Sequence, residues 1–320
     1  EALNAWDNWV RAMAERYKDK VSEWEMWNEP DINYEQIKDY KSIVDLNIRT
    51  AEIIKSVNPD AKIAALALAL IDNTELIENC LKEFQDRGKL DLFTWITYHQ
   101  YVYRPEEMYP MVDTFKTILK KYSDKIILRQ GETGCPSTNG LAGALSDHEW
   151  NERSQAKWDL RRMANDFRLE IMSNIFTMVD LQYENMLQSF GLIRMNLRKK
   201  VVYKRPSYYA VQHMVSLLTT KVHPFDLEVD HNATREISVV GIKDEAGKTV
   251  GAMLWYSDQM PTDVLEKDNV SMTIKGLDMK DPVYVEPITG KVHEVKTVIL
   301  RGGLSGGNVR LSGLPMWDSP

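Results

Sequence analysis

Cysteine is nearly absent from this chain: Cys80 and Cys135 are the only two among 320 residues. Two cysteines cannot build a disulfide framework, and neither stands in the Cys/His spacing of a zinc site. Long apolar runs are missing as well. The longest, from Ile63 to Ile71, falls well short of the roughly 20 residues that cross a bilayer, which excludes a membrane-spanning helix. Basic charge is in short supply, since 40 Lys and Arg against 47 Asp and Glu leave a net charge of −7. Nucleic acid is therefore not an expected partner, because its binders carry a basic stripe. The two basic clusters, Arg198-Lys199-Lys200 and Lys204-Arg205, fit solvated surface. Neither an initiating methionine nor a signal peptide precedes the first helix, so the chain is expected to continue upstream.

What is present is ordinary in bulk: 43% apolar and 27% charged residues, a composition typical of a globular protein. Nine Trp and fourteen Tyr are a weak pointer toward sugars, whose flat C–H faces stack on aromatic rings. The length suits one large α/β domain and a smaller module.

Leu3, Trp6, Val10, Met13 and Tyr17 recur at helical spacing. A short aromatic strand, Val21 to Trp27, follows and stops at Pro30. The next helix is predicted from Tyr34 to Val57, with Ile37, Tyr40, Val44, Ile48 and Ala51 on one face. Lys62 to Leu70 has the continuous apolar character of a buried strand, and Asp72-Asn73-Thr74 can cap a helix carrying Leu76, Ile77, Cys80, Leu81 and Phe84. Strands are predicted at Asp91 to Tyr98 and Lys125 to Arg129, flanking a helix at Met108 to Tyr122. Ser146 to Glu149 has the form of a capping box opening a helix to about Arg168, Ile171 to Leu181 includes a fifth strand, and Pro206 to Leu218 is a final helix. Five alternations of strand and helix predict a parallel α/β sheet. After about Lys221 the helical period disappears. Short strands separated by Ala246-Gly247 and Thr289-Gly290 turns predict a small antiparallel module.

Glu29 and Glu132 each follow a predicted strand, and parallel barrels gather their chemistry at the C-terminal strand ends. A pair of carboxyl groups about 5 Å apart, one protonated and one ionised, is what a retaining glycosidase needs. A lone Glu after a strand is usually a surface residue, so the neighbours decide.

Those neighbours form Trp27-Asn28-Glu29-Pro30-Asp31, which resembles the fourth-strand signature of clan A glycoside hydrolases. His99-Gln100-Tyr101 and Gly131-Glu132-Thr133-Gly134 then fall in the clan's order, and Lys204 to Ala210 resembles the start of its last helix. The Trp-Asn-Glu-Pro-Asp run and the β-rich tail look most like glycoside hydrolase family 39, with family 5 the next candidate. The resemblance implies the later part, strands 4 to 8, of a (β/α)8 TIM barrel over residues 1–220, followed by an antiparallel β-sandwich over 221–320. It also implies Glu132 as nucleophile, Glu29 as acid/base, Asn28 on the substrate 2-hydroxyl, Tyr101 donating to Glu132, and His99 lining the sugar subsite. A satisfied core residue is the rival role for both His99 and Tyr101. Many clan members carry a Trp platform after the eighth strand. Here Gln182-Tyr183 occupies that place, and both are expected to contact substrate.

Strands 1 to 3 have no counterpart in the sequence, so an upstream segment or a second chain is expected to complete the barrel. The mechanism calls on neither metal nor organic cofactor, and Cys135 near the nucleophile fits packing better than reactivity. The expected partner is a β-linked glycoside or polysaccharide fragment, and the expected location is extracellular or periplasmic. Two other readings stay open: a non-catalytic carbohydrate-binding protein on a degenerate barrel, and a scaffolding subunit of a larger assembly.

Overall fold

Helix α1 (Ala2–Tyr17) begins the chain and buries Val10 and Ala14. The computed structural model describes residues 1–32, 38–139, 143–184, 186–274, 282–300 and 308–320. Two compact units emerge, one formed by residues 1–101 and 108–133 and the other by residues 102–107 and 134–320.

In the first unit, β1 (Glu23–Glu25) is followed by α2 (Tyr40–Val57), β2 (Lys62–Leu68), α3 (Thr74–Asp86), β3 (Trp95–Tyr98), α4 (Met108–Lys120) and β4 (Ile127–Gln130). The four strands form one parallel sheet in the order β1-β2-β3-β4. Sequence position equals sheet position, as successive βαβ crossovers require. β2 is apolar and buried along its length after Lys62, as a strand covered on both faces must be. Asn73 caps α3 through Leu76 N–H, and Leu76, Ile77, Cys80, Leu81 and Phe84 all face inward. Gly88, at φ +65°, closes the helix in the left-handed conformation that glycine adopts without strain.

The predicted start of α2 differs from the structure. Asp39 is the N-cap, accepting from Ser42 N–H, so Lys38 and Asp39 precede the helix. Tyr34 and Ile37 lie outside the described residues.

The second unit opens with α5 (Glu152–Arg168). Its capping box is Asn151 with Ser154, not Ser146 with Glu149. Asn151 accepts from the N–H groups of Arg153 and Ser154 while Ser154 Oγ answers Asn151 N–H. Four short strands follow as two hairpins, β5 (Leu181–Gln182) with β6 (Leu187–Gln188) and β7 (Ile193–Met195) with β8 (Val201–Lys204). Among the described residues, the predicted fifth strand, Ile171 to Leu181, is not part of the parallel sheet. Its extended part bonds instead to the start of β7 and the residue before it, with Leu192 N–H donating to Thr177 O and Ile193 N–H to Met178 O. Asp180, which accepts from Gly191 N–H and pairs with Arg194 and Arg205, fixes that local pairing.

After α6 (Pro206–Leu217), the strands β9 (Val222–Phe225), β10 (Val229–His231), β11 (Ile237–Asp244), β12 (Thr249–Tyr256), β13 (Asp268–Ile274), β14 (Val283–Glu286), β15 (Lys291–Glu294), β16 (Lys296–Leu300) and β17 (Asn308–Met316) complete the unit. They pair antiparallel in the orders β10-β13-β17-β16, β12-β11-β9 and β14-β15. Gly247 and Gly290, both at positive φ, make the predicted turns.

One core packs Leu160, Met163 and Ala164 of α5 against Met214 of α6 and Trp255 of β12. Most buried positions of α5 are nonetheless polar or charged. Arg161 pairs with Glu106 and donates to Gln259 O, Lys157 pairs with Asp318, and Arg162 pairs with Asp166. Among the described residues, no helix is long and apolar enough to cross a membrane.

Candidate active site

The first unit collects its chemistry at the C-terminal ends of its strands, where the backbone is unusually constrained. Trp27, Glu29, Leu66, Ala67 and Gln100 all have positive φ, a conformation uncommon outside glycine and concentrated at functional sites. Leu66 and Ala67 form a bulge that breaks the β2–β3 register between Ala65 and Leu68. The bulge turns Ala67 O toward Glu29 N–H, at 3.0 Å. Asp31 completes the attachment, accepting from Ala69 N–H at 2.8 Å and Leu70 N–H at 3.1 Å. The residue pair around Pro30 thus hangs from the end of β2 by three hydrogen bonds. Gln100 ties the next loop in the same way, its side-chain oxygen accepting from Ile71 N–H at 2.8 Å.

On this frame Glu29, His99, Tyr101 and Glu132 come together. His99 Nδ1 lies 2.9 Å from Glu29 Oε1, and the Tyr101 hydroxyl donates to Glu132 Oε1 at 2.7 Å. One ligand-type atom from each of Glu29, His99 and Glu132 lies within 4.8 Å of the others. Their spacing also makes them the residues that could hold a divalent cation.

The His99 side chain is 1% exposed and that of Glu29 20% exposed, so the histidine forms the floor and the carboxylate stays reachable. Burial alone would lower the His99 pKa. The hydrogen bond with Glu29 and the charges of Glu132, Glu29 and Glu25 outweigh it, and the net shift is upward from the ordinary histidine range.

Gly131 shows how tight the floor is. A Cβ there would stand 3.3 Å from the His99 ring and 3.4 Å from Glu25 Oε2. Glu25 therefore belongs to the electrostatics of the site, although the sequence reading passed over it. Its signal was a charge between the apolar residues Trp24 and Met26. Asp31 was also missed as an anchor, and its place in the motif was the clue.

Asn28 is exposed beside Glu29. Gln182 and Tyr183 belong to the second unit. Gln182 donates to Tyr183 O at 2.7 Å and to Met186 O, and the Tyr183 ring is 48% exposed. Cys135 is fully buried, and burial pushes its thiol pKa well up, so it packs rather than reacts.

The structural neighbours of this chain are clan A glycoside hydrolases. One is a GH39 β-xylosidase from Caulobacter crescentus, at 17% identity and a TM-score of 0.52, covering 85% of this chain and 53% of its own. A glucosidase from Croceicoccus marinus matches at 13% identity and 0.53, over 98% of this chain and 60% of that one. CelM2, a bifunctional glucanase-xylanase from a metagenome library, matches at 12% identity and 0.58, over 97% and 67%. At these identities the likeness is one of fold. This chain spans little more than half the length of the first of these neighbours. No family model matches it, and no curated protein does.

Proposed function

We propose that this chain carries the catalytic pair of a retaining glycoside hydrolase acting on a β-linked glycoside. The observation that carries the reading is the approach of Glu29 and Glu132 to within 4.8 Å, each with its own hydrogen-bonding partner. Carboxyl groups about 5 Å apart belong to the double-displacement mechanism, whereas inversion leaves room for a water between them.

In the first step Glu132 attacks the anomeric carbon. The bond to the leaving oxygen breaks, and that oxygen takes a proton from Glu29. In the second step Glu29 removes a proton from water, whose oxygen attacks the same carbon and releases Glu132. The Tyr101 hydroxyl donates to Glu132 Oε1 and holds that carboxylate in one orientation. The His99 ring, with Nδ1 2.9 Å from Glu29 Oε1, holds that carboxyl group in position. On this reading the exposed Asn28, next to Glu29 in the chain, hydrogen-bonds the sugar 2-hydroxyl.

Replacement tests the two roles separately. Glu132→Ala should reduce turnover of an aryl β-glycoside by at least about 10^4-fold, with azide restoring it and yielding the α-glycosyl azide. Glu29→Ala should spare activated aryl glycosides far more than unactivated ones, and azide should give the β-glycosyl azide. Undiminished turnover by Glu132→Ala would remove the assignment. Binding of oligosaccharides by wild type without hydrolysis of any activated glycoside would instead support the non-catalytic reading.

A further inference from the structure

A cavity of about 490 Å³ lies in the second unit, lined by Arg153, Lys204, Tyr209, Lys267, Glu286 and Trp317 among others. Its volume suits a small ligand of one or two sugar rings. The lining carboxylate is already satisfied. Glu286 pairs with Lys267, accepts from the Thr289 hydroxyl at 3.0 Å and lies 3.4 Å from His293 Nε2. Burial raises its pKa, but these partners outweigh burial and hold it below the ordinary glutamate range.

The remaining cations are not neutralised. Lys204 Nζ stands 4.3 Å from the Tyr208 ring centre and 6.0 Å from that of Tyr209. The Arg153 guanidinium donates to the Asp263 carbonyl at 3.3 Å. Neither cation has a carboxylate at ion-pair distance among the described residues. α6 begins at Pro206, also in the lining, and adds the positive end of its dipole. Tyr209 is 43% exposed and offers a stacking face.

The basic character continues out of the cavity. Lys204 ends β8, whose other end leads back to the hairpin tip with Arg198, Lys199 and Lys200, all exposed. Among the described residues these three also have no acidic partner. From tip to cavity is about 13 Å along an extended strand. Five uncompensated cations on one hairpin and its neighbouring cavity are a local concentration in a chain of net charge −7.

We propose that this cavity and the β7–β8 hairpin form a second carbohydrate site, which takes an acidic oligosaccharide. Uronate carboxylates pair with Lys204, Arg153 and the hairpin cations, and a sugar face stacks on Tyr209. A free inorganic anion would use the charges but neither the ring nor the length. The choice of a sugar over another polyanion rests on the glycosidase reading of the first unit.

The test is titration calorimetry on the full chain carrying Glu132→Gln, with trigalacturonate as ligand and cellotriose as its neutral counterpart. Trigalacturonate should bind at least 10-fold more tightly than cellotriose. Lys204→Glu and Tyr209→Ala, both at exposed positions, should each weaken it about 10-fold, as should 0.5 M NaCl for the charge contribution. Circular dichroism checks that both variants fold. Unchanged affinity in Lys204→Glu would overturn the site. Tighter binding of a thymidine decamer or of anionic phospholipid vesicles, through the same two residues, would overturn the choice of a sugar. Aryl glycoside turnover by Lys204→Glu in the otherwise native chain should equal wild type. Failure of the glycosidase reading shows in the Glu132→Ala assay and leaves this titration to be judged by itself.

Discussion

His99 faces three carboxylates from a position that water barely reaches, and its protonation links the site to the stability of the first unit. Its folded pKa lies above the unfolded value of about 6.5. The stabilisation it contributes is therefore complete below that pH and is lost as pH rises through the folded value. Thermal unfolding followed between pH 5.5 and 9 should show this decline, and His99→Gln should remove it while costing about 1.5–3 kcal/mol at pH 6. A pH profile unaltered by the substitution would show that the charge of His99 is not coupled to folding. Asp159 poses the opposite problem in the second unit. It is fully buried, has no hydrogen-bonding partner among the described residues, and has its pKa pushed well above the usual aspartate range by burial. Its folded pKa lies above the unfolded one, so it opposes folding increasingly as pH rises past the ordinary aspartate range. Asp159→Asn should raise stability at pH 7 by about 1–3 kcal/mol and less at pH 4, measured by urea unfolding. At this scale the motif Asn28-Glu29-Pro30 singled out a residue that lies beside His99 and Glu132. The sequence was silent on Asp159, because nothing in a linear pattern distinguishes a charge that will be solvated from one that will not.

Elements in this protein depend on single polar side chains for their irregularities. The β2 bulge rests on Asn47 of α2, whose side-chain oxygen accepts from Leu66 N–H at 3.0 Å and whose amide donates to Ile43 O at 2.7 Å. Asn47→Ala leaves a buried N–H unsatisfied and should cost about 1–3 kcal/mol. It should also lower kcat on an aryl glycoside, because Ala67 O, which holds Glu29, follows directly. Helix α5 depends likewise on Glu106, which pairs with Arg161 and accepts from Trp255 Nε1 at 2.7 Å. Glu106→Ala leaves the Arg161 charge buried and should destabilise the chain by about 3–5 kcal/mol in chemical unfolding. Periodicity located the described helices of the first unit because their inward faces are apolar. It could not anticipate that α5 would bury Gln155, Lys157, Arg161 and Arg162, since burial by ion pairing leaves no hydrophobic stripe to read. The capping box was misplaced for a related reason: Ser-x-x-Glu and Asn-x-x-Ser both satisfy the chemistry, and only the helix decides which is used.

Taken whole, the parallel sheet ends on two strands, β1 and β4, that have one neighbour each among the described residues. Alternation of strand and helix made the parallel arrangement legible, and the extended segment before β7 was misjudged because pairing partners are a property of space rather than order. Ile127 on β4 is 57% exposed, and an exposed apolar side chain on an edge strand favours association. Light scattering should therefore find concentration-dependent self-association, reduced in Ile127→Lys at no cost to folding. The bulge at Leu66-Ala67 has one further consequence, for anyone evolving this protein. Ala67, held at φ +45°, would relax on replacement by glycine, so a selection for heat resistance should find Ala67→Gly early. The same exchange loosens the peptide that orients Glu29, and the lineage that gains robustness should surrender turnover.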